Sequence, residues 1–510
     1  MSLNILKYLV SIGLLFLLDG CTIFPNYSKP AVKTPDSWQA TLPHDGQLSN
    51  LNHWWDQFND PVLSSLIETS EINSPTLSKA LAAIQAARAN VVIAGAADYP
   101  SLSGKVTASR SKNSFSNGSQ STGASSASFG STNATTSTWM ANLDASWEID
   151  LFGGIGFSRE SAVNQLEAKK DNWFSARVSL AAEVATDYLD YRACQLSANA
   201  YRQALKSKEE TSRLTHILAN AGFSSPADAA LAEASLRSTE SSLIAQQASC
   251  DITVKTLVAL TDMKEADLRN WLAKDDKLPQ PAEFVVDSIP ASVVLQRPDL
   301  MADERNLASA SAEIGVSKAN LYPSLSLTGS IGRMNTSIGN YSADYNTWSF
   351  GPSINIPIFN HGELKAKVKV SEANYLSALA TYQEDTRNAI KEVEQALVNL
   401  ESAASRETSE RVSTEDYEKY FKAAEINWRA GGISLLTLED ARRQLIDAQL
   451  SHISQQHDRV KYWIALYKAL GGGWQESRLP DADTLTGPTQ ANQMSVWISS
   501  KNIKNGNENE

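Results

Sequence analysis

Methionine, histidine and cysteine are scarce in this 510-residue chain, at 6, 6 and 3 residues, and each scarcity excludes something. Six methionines leave little material for a soft-metal relay, and no Cys/His cluster has metal-site spacing. His452 and His457 stand five apart, off a common helical face, and read as surface residues. Neither a P-loop nor a G-x-S-x-G motif is present, so no enzyme activity, cofactor or metal is expected. Basic residues are outnumbered, 45 Lys and Arg against 57 Asp and Glu for a net charge of −12, and no basic stripe is offered to phosphates. That argues against nucleic acid as a partner. Long apolar runs are missing too. Beyond the N-terminus none approaches the ~20 residues of a membrane helix, so any spanning must be done by strands.

The single apolar run, LVSIGLLFLL behind Lys7, is too short to span a bilayer and reads with its flanks as an export signal over residues 1–20. It runs into Leu18-Asp19-Gly20-Cys21, which resembles a bacterial lipobox and makes Cys21 the candidate lipidated N-terminus. Thr22 follows the cysteine where Asp could stand, which by the same resemblance implies sorting to the outer membrane.

What the chain has in quantity is itself, twice. Tyr99-Pro-Ser-Leu102 returns as Tyr322-Pro-Ser-Leu325, and Pro75, Leu77 and Ala87 align with Pro298, Leu300 and Ala310, all 223 residues apart. Later anchors sit 209 apart: Thr138-Trp139 with Thr347-Trp348, and Ala221-Gly222 with Ala430-Gly431. The difference is absorbed between Ser103 and Thr138 by Ser/Gly/Asn/Thr filler, which reads as a long exposed loop. A duplicated chain of two ~200-residue copies follows.

From Trp139 to Leu151 apolar residues alternate with polar ones. Trp139, Leu143, Trp147 and Ile149 share one face, and Asn142, Asp144, Glu148 and Asp150 the other, where they could line a wet pore. Trp348, Phe350, Ile354, Ile356 and Ile358 repeat the pattern, with weaker versions at 102–109 and 325–331. One such strand alone suits a soluble sandwich. Four from one chain cannot close a barrel, since about eight is the smallest number that does, and lipid tolerates no open sheet edge. A spanning version must pool strands from several chains.

Each strand pair is followed by a proline-free helical run, about 155–220 and 363–430. In the second, Val368, Tyr375, Tyr382, Ala389 and Ala396 recur every seven residues beside Leu379, Val393 and Leu400, which is coiled-coil patterning. At ~1.5 Å per residue each run makes a rod on the order of 100 Å. Both runs stop at a glycine, Gly222 or Gly431, and a second helical run returns, about 227–260 and 437–470. Shorter helices open each copy, the first with Asp60 as N-cap and Pro61 behind it. Cys194 and Cys250 lie at equal distances from Gly222, so they face each other across the first hairpin, where an exported protein would oxidise them to a disulfide. Two unrelated buried thiols are the alternative.

Strand pairs and long helical hairpins, duplicated behind a lipobox, resemble the outer-membrane efflux protein family of TolC and OprM type, in its lipoprotein branch. The residues that carry the resemblance run through nearly the whole mature chain. They include Pro25, Tyr27 and Pro30, Trp54-Trp55 with Phe58, Asp60, Pro61 and Leu63, Trp147-Glu-Ile-Asp-Leu-Phe-Gly153, Arg297-Pro-Asp299, Tyr322-Pro-Ser-Leu325, Pro357-Ile-Phe359 with Gly362, and Leu466-Tyr-Lys-Ala-Leu-Gly-Gly-Gly-Trp474. The resemblance implies an α+β membrane protein whose homotrimer pools four strands per chain into a 12-stranded outer-membrane barrel continued by a periplasmic α-helical coiled-coil barrel. It further implies a passive exit duct for small molecules such as drugs, docked to a periplasmic adaptor and an inner-membrane pump of RND type.

On that reading the chain divides into a signal peptide (1–20), a lipid-anchored strap (21–60), a first repeat (61–262, strand pair 99–152), an equatorial linker (263–290), a second repeat (291–474, strand pair 322–359) and a polar tail (475–510). The tips Gly222, Phe223, Ser224, Gly431, Gly432, Ile433 and Ser434 would dock the adaptor. Asp440, nine residues past the second tip glycine, would line the periplasmic gate beside Glu439, and Thr437 stands where the family has a second carboxylate. Rival readings are the duct of a type I protein secretion system and, from another class, a structural periplasmic coiled-coil lipoprotein.

Overall fold

The computed structural model describes residues 27–31, 35, 38–40, 51–113, 134–273, 277–280, 291–338 and 341–473. The signal, Cys21, Trp474 and the polar tail lie outside the described residues. A short 3-10 helix, Leu51–Phe58, leads into α1 (Pro61–Asn73) and α2 (Pro75–Ala96), then β1 (Ser101–Asn113), β2 (Ala134–Ile149), α3 (Gly154–Asn220), α4 (Pro226–Thr261) and α5 (Glu265–Leu272). A second 3-10 helix, Ala291–Gln296, opens the repeat: α6 (Pro298–Ala319), β3 (Ser324–Ile338), β4 (Tyr341–Asn355), α7 (Glu363–Arg429) and α8 (Leu435–Ala469). The duplication is literal. Both α3 and α7 have 67 residues and begin 209 apart, and both α2 and α6 have 22 and begin 223 apart. No described helix is long and apolar enough to cross a membrane.

The described residues form two compact units. One holds the sheet with the adjoining ends of α2, α3, α6 and α7. Its four strands run antiparallel in the order β1-β2-β3-β4. The register joins Leu143, Ile331 and Trp348 in one cross-strand row, and Leu102, Ala145, Gly329 and Phe350 in the next. Displaced by one residue, hence on the opposite face, runs a row of Ser103, Asp144, Ser330 and Ser349. The apolar face is bare in the single chain: Trp348 is 80 % and Phe350 71 % exposed. Where the sheet meets the helices, the Phe157 ring lies so close to Gly315 that a Cβ there would come within 2.5 Å of it.

Two expectations are corrected here. The stretch from Ser103 to Thr138 is strand at both ends: β1 continues to Asn113 and β2 starts at Ala134, paired throughout, and residues 114–133 lie outside the described residues. Residues 109–113 and 135–138 are polar on both faces, so periodicity could not reveal them and the ladder alone defines them. Ile356 and Ile358 lie past the end of β4, as Leu151 lies past β2.

The other unit is helical. Along α7 the buried positions 382, 386, 389, 393, 396, 400 and 403 step by four and three, the heptad seam anticipated from the sequence, with Thr386 and Ala403 completing it. Asp60 caps α1 through Oδ1, accepting from the Val62 and Leu63 amides at 2.9 and 3.1 Å, while its Oδ2 accepts from the Tyr188 hydroxyl of α3 at 2.6 Å. Arg297, buried, donates to Asp299, Glu392 and the Ala469 carbonyl and so joins α6, α7 and the end of α8. Trp54, also buried, packs on Trp463 and Tyr467 of α8.

Candidate functional site

Both hairpin tips are built alike. At the end of α3 the Phe223 amide donates to the Leu218 carbonyl and the Gly222 amide to that of Ala219; at the end of α7 Gly432 donates to Asn427 and Gly431 to Trp428. These are Schellman closures, and each needs a left-handed residue, which Gly222 and Gly431 supply at φ +77. The returning helices start on Ser225 and Ser434, each with its hydroxyl accepting an amide three residues on. In the first copy Asp228 answers with its own carboxylate and completes a capping box. Thr437, at the equivalent position of the second, keeps the helix start by pairing its hydroxyl with that of Ser434 at 2.9 Å.

The two tips adjoin. Leu218, Phe223, Trp428, Gly431 and Ile433 line a cavity of about 560 Å³. Phe223 is 83 % exposed there, whereas Ile433 packs on a small core of Ala232, Ala424, Leu435, Leu438 and Ala441.

The three gate candidates have different surroundings. Asp440 is half-exposed and accepts from Arg443 at 2.7 Å and Gln444 at 2.6 Å; the Arg443 guanidinium holds its carboxyl below the usual range. Thr437 is a capping residue. Glu439, expected beside Asp440 at a gate, turns the other way, into a buried network. It pairs with Arg442, accepts from Ser235 of α4 at 2.6 Å, and lies 3.5 Å from Lys208 of α3. Arg442 reaches on to Thr211 at 2.8 Å and its guanidinium sits 5.3 Å from the centre of the Phe421 ring. Burial pushes the Lys208 ammonium pKa down, partly offset by Glu439. This network joins the first hairpin to the second. One sequence signal could have found it: Arg442 falls four after Leu438 and three before Leu445, a seam position that an arginine occupies only with partners.

On the sheet, Asn142, Asp144 and Glu148 share the polar face, and the Asn142 carboxamide lies over Gly332, where any Cβ would collide with it at 2.1 Å. Asp150, expected with them, is past the strand: its carboxylate accepts the Gly156 amide at 2.9 Å and caps the start of α3. The histidines are not surface residues. His457 is mostly buried between Asp190 and Asp458, and His452 Nε2 is buried with no hydrogen-bond partner.

Cys194 and Cys250 are joined by a disulfide between α3 and α4, with Cα atoms 5.5 Å apart and 56 residues of separation. The second copy has Ala403 and Arg459 at these positions, and Arg459 bonds Glu407 of α7 at 2.6 Å instead. Substituting both cysteines with alanine should lower stability by roughly 2–4 kcal/mol, measured as a shifted denaturation midpoint that reducing agent reproduces in the wild type and leaves unchanged in the variant.

An amphipathic four-strand sheet whose outer strands β1 and β4 each pair on one side only among the described residues, joined to duplicated helical hairpins, defines a class: an outer-membrane channel subunit. The outer membrane efflux protein family model matches residues 66–262 and 289–472, and the chain belongs to that family. It is 31 % identical over 475 residues to the probable efflux pump outer membrane protein TtgC of Pseudomonas putida, covering 90 % of this chain and 94 % of the relative. It is 28 % identical to the pyoverdine export outer membrane protein OpmQ of Pseudomonas aeruginosa, covering 93 % and 98 %. Among solved structures, the outer-membrane channel OprN matches with a TM-score of 0.77 at 28 % identity over 89 % of this chain and 100 % of that one. The protein is thus an outer-membrane efflux channel, of a family that forms trimers working with efflux-pump partners and is not enzymatic.

Proposed function

We propose that the chain is the exit duct of a tripartite efflux pump, passively conducting small molecules such as drugs from periplasm to exterior while docked to a periplasmic adaptor and an RND-type inner-membrane pump. The observation that carries this reading is the pair of adjoining tips, with Phe223 standing free beside a cavity lined from both hairpins. A partner helix tip with apolar side chains fits there. Cys21 is the lipid attachment, Asn142, Asp144 and Glu148 face the barrel lumen, and the three copies of Asp440 converge at the periplasmic mouth. Carboxylates brought together on one axis repel unless cations compensate, so the ring binds cations and sets ion selectivity.

Two experiments test this. Affinity purification from native membranes should recover an adaptor and a proton-driven pump; recovery of an ABC exporter instead would assign the duct to protein secretion. Asp440→Ala should raise leak conductance or weaken cation block in planar bilayers, with Asp228→Ala, at the capping box, doing less. Conductance and block unchanged by Asp440→Ala would remove this residue from the gate.

A further inference from the structure

In the helical unit, Asp190 of α3 lies beside His457 of α8, and Asp187 of α3 shares with His457 the charges of Asp190 and Lys461. His457 Nε2 is 2.6 Å from Asp190 Oδ1, and its Nδ1 is 3.3 Å from Asp458 Oδ1. Both ring nitrogens meet a carboxylate, an arrangement that suits the doubly protonated imidazolium. One turn before Asp190, Asp187 Oδ2 is buried with no hydrogen-bond partner. The charged groups facing this pair are Glu183, Asp187 and Asp190 from α3 and Asp458 and Lys461 from α8. The duplication supplies an internal comparison. The residue 209 after Asp187 is Ala396, buried in the α7 seam, and the residue 209 before His457 is Ala248. Packing of the long helix therefore does not require an ionisable group at this position; alanine fills it in the other copy.

We propose that Asp187, Asp190 and His457 form a proton-operated clasp between α3 and α8, and so between the two hairpins of one protomer, tight when the periplasm is acidic and loosened as its pH rises. Protonated, the cluster sets His457 between two carboxylates and leaves Asp187 neutral in its buried position. Loss of both protons turns four carboxylates, Glu183, Asp187, Asp190 and Asp458, toward a single cation, Lys461. Burial, with Asp190 and Glu183 adding repulsion, pushes the Asp187 carboxyl up to about 6. Burial disfavours charge on His457, but the Asp190 and Asp458 carboxylates outweigh it and hold the imidazolium above its ordinary range. Both groups bind their proton more tightly folded than unfolded. Their contribution is complete below the unfolded values and is lost as pH rises, through about 6 for Asp187 and above 6.5 for His457.

The test is the thermal unfolding midpoint of the full-length protein in detergent from about pH 3.5 to 8.5, a span that runs from the ordinary range of an aspartate to above that of a histidine. The wild-type midpoint should fall by a few degrees as pH rises. Asp187→Asn should lose at least half of that fall and melt above wild type at the alkaline end. His457→Gln should melt below wild type at the acidic end and match it at the alkaline end. Asp187→Ala, the residue of the other copy, replaces Asp187→Asn if that variant does not fold. A full wild-type pH slope retained in either the Asp187 or the His457 variant overturns the clasp.

Discussion

Glu439→Gln should destabilise the protein by roughly 3–5 kcal/mol, the largest single effect expected in the helical unit. The substitution keeps the shape of the side chain and removes its charge, leaving Lys208, 11 % exposed, without its carboxylate partner and Arg442, 2 % exposed, with Glu425 as its remaining counter-charge. The measurement is the denaturant midpoint of the purified protein. Replacing Lys208, Glu439 and Arg442 together by leucine or methionine should recover most of the loss, because the cost lies in stranding charges rather than in lacking the bonds. A Glu439→Gln variant within about 0.5 kcal/mol of wild type, the range of ordinary surface changes, would mean that water reaches the network.

Ile331→Arg should prevent accumulation in the outer membrane, whereas Ser330→Arg next to it should insert normally. Ile331 lies between Leu143 and Trp348 in the apolar row and is 62 % exposed in the single chain, so the barrel presents it to lipid. An arginine near mid-membrane costs about 2–4 kcal/mol, and every copy in the assembly bears it. Ser330 sits in the polar row with Asp144 and Ser349, where an arginine meets water and a carboxylate. Heat-modifiable mobility of the outer-membrane fraction separates the two variants. Equal insertion of both would mean that the sheet does not face lipid on its apolar side.

Much of this architecture was legible in the sequence because it rests on local patterns stated twice. A seven-residue repeat, an N-cap followed by proline and a glycine at each tip specify helices and turns within a few residues, and the equal spacing of Cys194 and Cys250 about Gly222 placed them opposite each other. What escaped was set by contacts with no local signature. Glu439 lies 231 residues from Lys208, so its partner is visible only once the hairpins pack. His457 meets Asp190 across 267 residues for the same reason. Asp150 obeyed the strand alternation yet serves as a helix cap, since the ladder stops one residue earlier at Ile149. Glycine at 332 gave no sign that it clears space for Asn142 on the neighbouring strand.

As an exit duct, several copies of this chain must enclose a continuous aqueous path. Protein extracted from the outer membrane and inserted into a planar lipid bilayer tests that directly by single-channel recording. Discrete conductance steps that need no energy source, and that grow in Asp440→Ala, are the expected result. A bilayer that stays sealed with the protein demonstrably inserted, for wild type and Asp440→Ala alike, would contradict it.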